Sequence, residues 1–159
     1  MFETKTIPKT KPLRYQAILD DLKYLIIKKD TLMTKYANLS ALLNYYLQDI
    51  NWVGFYLYDG SKLTLGPFQG LPACTTIFLN AGVCGKAAHD QTTIIVKDVS
   101  KFDDHIACDM NSKSEIVVPI IKADQLVGVL DIDAPIKNRF DEVDQRYLEE
   151  IINKFIDIL

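Results

Sequence analysis

The spacing of apolar side chains changes twice along this chain, and that switch constrains the fold more than any single motif. Residues 13–29 carry Ala17, Ile18, Leu22, Leu25 and Ile26 at helical spacing. Asp30 or Thr31 is placed to cap a second helix reaching about residue 48, with Leu32, Tyr36, Leu39, Leu42, Leu43 and Tyr46 facing inward. From Asn51 the period drops to two. Trp52, Gly54, Tyr56 and Tyr58 then share one face of a strand, and Val53, Phe55 and Leu57 share the other. Asp59-Gly60 turns the chain into a second strand over residues 62–65. A short helix over 82–90, a strand over 93–96 and a hairpin of 114–121 with 125–133 follow. The first strand of that hairpin is almost continuously apolar, as a strand buried on both faces should be. Pro119 cannot donate to a ladder, so a bulge or free edge is expected there. Asp141, with Asp144 three residues on, opens a closing helix whose stripe is Val143, Tyr147, Leu148, Ile151, Ile152, Phe155, Ile156 and Leu159.

The pattern predicts one α+β domain over residues 1–159, a mostly antiparallel sheet flanked by N- and C-terminal helices. Its parts are an arm over 1–12, helices over 13–48, the sheet and its loops over 51–133, and a last helix over 141–159. A length of 159 residues buries a core without metal or disulfide staples. With 48% hydrophobic and 25% charged residues, the chain reads as soluble and globular. A net charge of −3, with the basic residues dispersed, does not suit a nucleic-acid backbone. The start lacks the apolar run of a secretory leader, and no stretch reaches membrane-spanning length. A cytoplasmic, reducing location is the expectation, and cysteines there are thiols or transient disulfides.

Cys74, Cys84 and Cys108 are the only cysteines. An odd number argues against a disulfide framework, and no close-spaced pair suggests a zinc knuckle. Thiol chemistry or three inert core cysteines remain. A zinc shell of the three thiols with His105 has no local ligand pair to support it. The second constellation is acidic. Asp131 and Asp133 lie two apart on a strongly apolar strand, and Glu115 begins the partner strand. With a three-residue loop (Ala123, Asp124, Gln125), Lys122 opposes Leu126 and Glu115 opposes Asp133, so all three acids share a face; a two-residue loop sends Glu115 to the other. Like charges on one face raise one another's pKa and keep a carboxyl protonated near neutrality. Solvated strand-end acids and a hard-cation site are the other readings of Asp-x-Asp. Trp52 and Tyr56 are core residues or the walls of a pocket, with Gly54 leaving space between them. His105, three residues before Cys108, is placed to lower its pKa or to bind backbone, and His89 suits a helix C-terminus.

Those residues carry a resemblance. Asn51-Trp52-Val53-Gly54-Phe55-Tyr56, Leu65-Gly66-Pro67-Phe68-Gln69-Gly70, Gly82-Val83-Cys84-Gly85, His105-Ile106-Ala107-Cys108-Asp109, Ser114-Glu115-Ile116 and Gly128-Val129-Leu130-Asp131-Ile132-Asp133 together resemble the free methionine-(R)-sulfoxide reductases, which are stand-alone GAF domains. The resemblance implies a GAF-like fold with a ligand pocket on the sheet face away from the terminal helices. It implies Cys108 as the catalytic thiol, Cys84 as the resolving thiol and Cys74 as an additional cysteine. Glu115, Asp131 and Asp133 become a substrate cage, with Trp52 and Tyr56 as its aromatic lining. The chain departs from the family at Asp103-Asp104, where Pro-Gly is usual, and at Ala134, where Ser is common.

The chemistry fits such a residue set. A sulfoxide sulfur is a poor electrophile until its oxygen is protonated, so a thiolate and an acid must act together. Attack releases methionine and leaves a sulfenic acid, which a second thiol condenses to a disulfide. An external dithiol then restores the enzyme, and the resemblance implies thioredoxin, fed by NADPH, with no bound cofactor or metal. A carboxylate cage suits the ammonium of a free amino acid. The expectation is therefore an oxidoreductase acting on free L-methionine (R)-sulfoxide, with the R preference and a homodimer implied by the resemblance alone. A non-catalytic GAF sensor of a small ligand is the alternative.

Overall fold

The computed structural model describes residues 2–104, 106 and 109–159. Helix α1 (Lys11–Leu25) takes Pro12 in its first turn, where a missing N–H costs nothing. It stops at Leu25, short of the expected residue 29, because Asp30 accepts the Ile27 N–H (3.3 Å) and turns the chain. Helix α2 (Leu32–Tyr46) is capped by Thr31, whose hydroxyl accepts from Thr34 N at 3.2 Å.

Six antiparallel strands follow: β1 (Trp52–Tyr58), β2 (Lys62–Gln69), β3 (Thr76–Phe78), β4 (Ile94–Val96), β5 (Ser114–Lys122) and β6 (Gln125–Ala134). Helix α3 (Gly82–Asp90) lies between β3 and β4, and α4 (Glu142–Ile156) closes the described elements. The sheet order is β3-β2-β1-β6-β5-β4. Strand β3, a run of only three β-branched and aromatic residues, is not among the expected strands, and β2 runs past residue 65 because a bulge at Gly66-Pro67 keeps it paired to β1. Among the described residues no helix is long and apolar enough to cross a membrane.

The alternation read from β1 holds. Val53 and Phe55 join the larger core with Ile116, Val118, Ile120, Leu130 and Ile132, covered by α1, α2 and α4. Trp52 and Tyr56 face the other way, into a smaller cluster closed by α3. Helix α4 carries the predicted cap: Asp141 accepts from Val143 N (2.9 Å) and Asp144 N (3.2 Å), while Asp144 accepts from Asp141 N (2.9 Å). Pro119 lies beyond the end of β4, which stops opposite Val117, so the edge is open where a donor is missing.

The β5–β6 hairpin reaches the expected outcome by an unexpected route. Its loop has two residues, with Lys122 opposite Gln125 rather than Leu126. Ala123 (φ 49°) and Asp124 (φ 61°) both adopt the left-handed conformation, the signature of a type I′ turn. A regular ladder from that turn would set Glu115 opposite Ile132 on the helix-covered face. Val127 is instead an extra residue: Ile121 pairs with Leu126 and Ile120 with Gly128. The bulge restores phase, and Glu115 lies opposite Asp133.

Candidate active site

The sheet face beneath α3 presents Glu115 from β5 and Asp131 and Asp133 from β6, with Tyr56 from β1 beside them. Helix α3 lowers Cys84 onto them, and these five side chains line one cavity. Gly85 makes that approach possible: a Cβ there would come within 2.2 Å of the Phe78 carbonyl oxygen, so the helix packs directly on the end of β3. The glycine serves close packing. The same holds for Gly54, where the space expected for a ligand is filled by Phe68 and the Trp52 ring. Trp52 stacks on Phe68 (5.3 Å between ring centroids) and donates from Nε1 to Leu71 O at 3.1 Å. It therefore buttresses Tyr56, 5.9 Å away, and does not itself line the cavity. Tyr56 donates its hydroxyl to Cys74 O at 3.1 Å.

Electrostatics inside the cavity favour protons. Burial, then the charge of Asp133, holds Glu115 well above the usual carboxylate range. Burial and Glu115 raise Asp131, and burial and Asp131 raise Asp133, with the Ser112 hydroxyl opposing that last rise. Glu115 and Asp131 are also hydrogen-bonded to each other and share a proton. Asp131 is 6% exposed, and its Oδ1 has no hydrogen-bond partner. Cys84 Sγ approaches Glu115 Oε1 at 4.0 Å, and burial with the two nearest acids pushes its thiol up. Donor atoms of Cys84, Glu115 and Asp131 all lie within 4.8 Å of one another. The open centre measures about 20 Å³, room for a single water or small ion.

The structure thus unites Cys84, Glu115, Asp131, Asp133 and Tyr56. Cys74 is half-buried beside Tyr56 and is disulfide-bonded, whereas Cys84 is a free thiol. Cys108 and His105 lie outside the described residues. His89 is exposed and pairs with Asp90 at 2.9 Å.

Three site residues went unread in the sequence. Asn51 donates from Nδ2 to Asp109 Oδ2 (2.7 Å) and to Ser112 Oγ (3.0 Å), while its N–H bonds Asp133 O (3.0 Å). Asp109 and Ser112 both face the cavity. The amide can only donate from Nδ2, which leaves the Ser112 proton for Asp133. No local pattern marks these three residues: Asn51 is a half-buried residue directly before β1, and its partners lie 58 and 61 residues away.

Comparison with known proteins gives the same direction. The GAF domain family matches residues 34–155. The chain is 41% identical over 145 residues to the free methionine-R-sulfoxide reductase of Escherichia coli, covering 91% of this chain and 88% of that one. The Staphylococcus aureus fRMsr in complex with substrate superposes with a TM-score of 0.88 at 48% identity, over 98% of this chain and 99% of the other. The free methionine-R-sulfoxide reductase of Neisseria meningitidis, also in complex with its substrate, gives 0.93 at 36% identity, over 99% and 95%. Fold, buried acids and sequence agree, and the chain belongs to the free methionine-R-sulfoxide reductase family of GAF domains.

Proposed function

We propose that this protein reduces free L-methionine (R)-sulfoxide to methionine. The observation that carries the reading is the buried thiol–carboxylate cavity, in a chain whose relatives are free methionine-R-sulfoxide reductases crystallised with substrate. The acids receive the ammonium of the free amino acid, and the proton shared by Asp131 and Glu115 is suited to protonating the sulfoxide oxygen, a part we give to Asp131. Cys108 attacks the sulfur, taking the oxygen: thiol and sulfoxide become sulfenic acid and methionine. A second thiol displaces the hydroxyl as water and forms a disulfide. The bonded state of Cys74 supports giving Cys74 that part, which the resemblance assigned to Cys84. The raised pKa of Cys84 supports a role as a neutral cavity wall and weak donor instead.

The Cys74 disulfide must be reduced before the next turnover. A thioredoxin-type dithiol performs that reduction, with NADPH as the distant electron source and no bound cofactor. We place the cycle in a reducing cytoplasm and assign the working unit as a homodimer. Thioredoxin-coupled NADPH oxidation is the test, run with the free R and S sulfoxides and with N-acetylmethionine sulfoxide. Only the free R form should be consumed. Equal rates with the acetylated substrate would remove the ammonium cage, and no turnover with either would remove the reductase.

A further inference from the structure

We propose that the reduced protein binds one thiophilic divalent cation of the zinc type in this cavity, through Cys84 Sγ and one carboxylate oxygen each of Glu115 and Asp131. The site goes beyond the reductase reading and does not depend on it. Its ligand atoms come from three elements, α3, β5 and β6, and already converge within 4.8 Å of one another. Zinc bonds sulfur at about 2.3 Å and carboxylate oxygen at about 2.0–2.2 Å, so tetrahedral coordination needs ligand pairs roughly 3.5 Å apart. The Cys84 Sγ to Glu115 Oε1 separation of 4.0 Å requires a closing movement of about half an ångström.

Two independent features point to an ion here. The open centre is about 20 Å³, the size of one water or ion. Asp131 Oδ1 is buried in its wall with no hydrogen bond, an acceptor with both lone pairs unspent. The donor set also chooses the metal. A thiolate beside two carboxylates suits zinc, whereas magnesium and calcium take oxygen shells. On binding, the cation displaces the thiol proton and the proton shared by Glu115 and Asp131; both leave to solvent, and no electron moves. Three protein ligands leave one position open. If the reductase reading holds, cation and substrate ammonium claim the same oxygens, and the metal excludes substrate.

The test uses Co²⁺ as a spectroscopic probe on the full chain, reduced and desalted under argon. A Cys74→Ser/Cys108→Ser double variant leaves Cys84 as the single thiol. It should bind one equivalent with a sulfur-to-cobalt charge-transfer band in the near ultraviolet and tetrahedral bands in the visible, and Zn²⁺ should bleach both. Cys84→Ser should lose the ultraviolet band, and Asp131→Asn should weaken cobalt binding by about tenfold or more. No charge-transfer band in the double variant overturns the site, as does an unchanged band in Cys84→Ser. Should Cys84→Ser fail to fold, zinc X-ray absorption on the double variant decides: one sulfur with oxygens upholds the site, an all-oxygen shell ends it. Displacement of cobalt by free methionine sulfoxide tests the shared oxygens separately. A retained band in the presence of sulfoxide that the enzyme turns over would refute competition.

Discussion

Asp144 and Asp131 are both buried aspartates, and they lie on opposite sides of one sheet with opposite electrostatics. Asp144 is fully enclosed between α4 and α1. Its Oδ1 accepts from the Tyr15 hydroxyl (2.7 Å) and Arg139 (3.1 Å), and its Oδ2 from Lys11 (2.6 Å) and the Asp141 N–H (2.9 Å). Every lone-pair direction is used and two cations offset the charge. Asp131 has two acids and a thiol for neighbours, no Lys or Arg among the described residues around it, and one oxygen without any partner. The first carboxylate ties helices together. The second is left short of positive charge, which is the condition a site must keep if its ligand is to supply that charge.

The difference can be broken from either side. Asp131→Asn should lower kcat/KM by about 100-fold or more, the scale of a lost general acid, without lowering the melting temperature. Asp144→Asn should do the reverse, because stranding Arg139 and Lys11 costs about 3–5 kcal/mol, or about 10 °C in melting temperature. Parallel steady-state kinetics and thermal melts check both, and any result in which the two variants fail alike dissolves the distinction. A second expectation separates the thiols. Cys74→Ser should release one methionine per enzyme and stall, while Cys84→Ser should keep cycling at a reduced rate. Rapid-quench measurement of methionine decides, and a stall confined to Cys84→Ser would return the resolving part to that residue.

Stability against pH gives a third, smaller effect. Glu115, Asp131 and Asp133 have folded pKa values raised above the unfolded ones, near 4, so the native state binds more protons than the unfolded chain. Their contribution is fully present below about pH 4 and is lost as pH rises through the raised values. Melts recorded with a chelator should fall across that window, and Asp131→Asn should flatten the decline. A slope unchanged in the variant would show that Asp131 is not among the groups responsible. The smallest effect is at Asn51. Asn51→Ala frees the Ser112 hydroxyl from its fixed polarity, so kcat/KM should drop by several-fold and the alkaline limb of its pH profile should move, since Ser112 holds Asp133 down. Asn51→Asp, which cannot donate, should be worse than alanine, and the opposite order would deny the amide its directing part.

Much of this was readable in advance because it is local. The alternation of Trp52 to Tyr58 assigned both sheet faces, and the Asp141–Asp144 pair announced a helix start. What stayed hidden depends on distant partners. Asp144 looked like a capping residue, and nothing near it in the chain discloses that Tyr15 and Lys11 arrive from more than 120 residues away. The three acids were foreseen as one group, yet through a wrong loop, since a bulge at Val127 has no signature in a run of apolar residues. Gly54 was read as space because sequence shows a missing side chain and not the neighbouring ring that fills the room.

The bulge at Val127 also divides the β5–β6 hairpin into two zones of different tolerance. Strand β1 holds β6 from Asp133 only as far as Gly128. Beyond that residue the tip pairs with β5 alone, one step out of phase with the part that carries the acids. A single residue lost there removes the bulge and leaves a regular two-residue hairpin, with Glu115 still facing Asp133. The same loss between Gly128 and Asp133 would rotate a carboxylate into the helix-packed core. Length variation among descendants of this chain should therefore collect at the tip, which makes it the place to graft a loop or tag without disturbing the chemistry below.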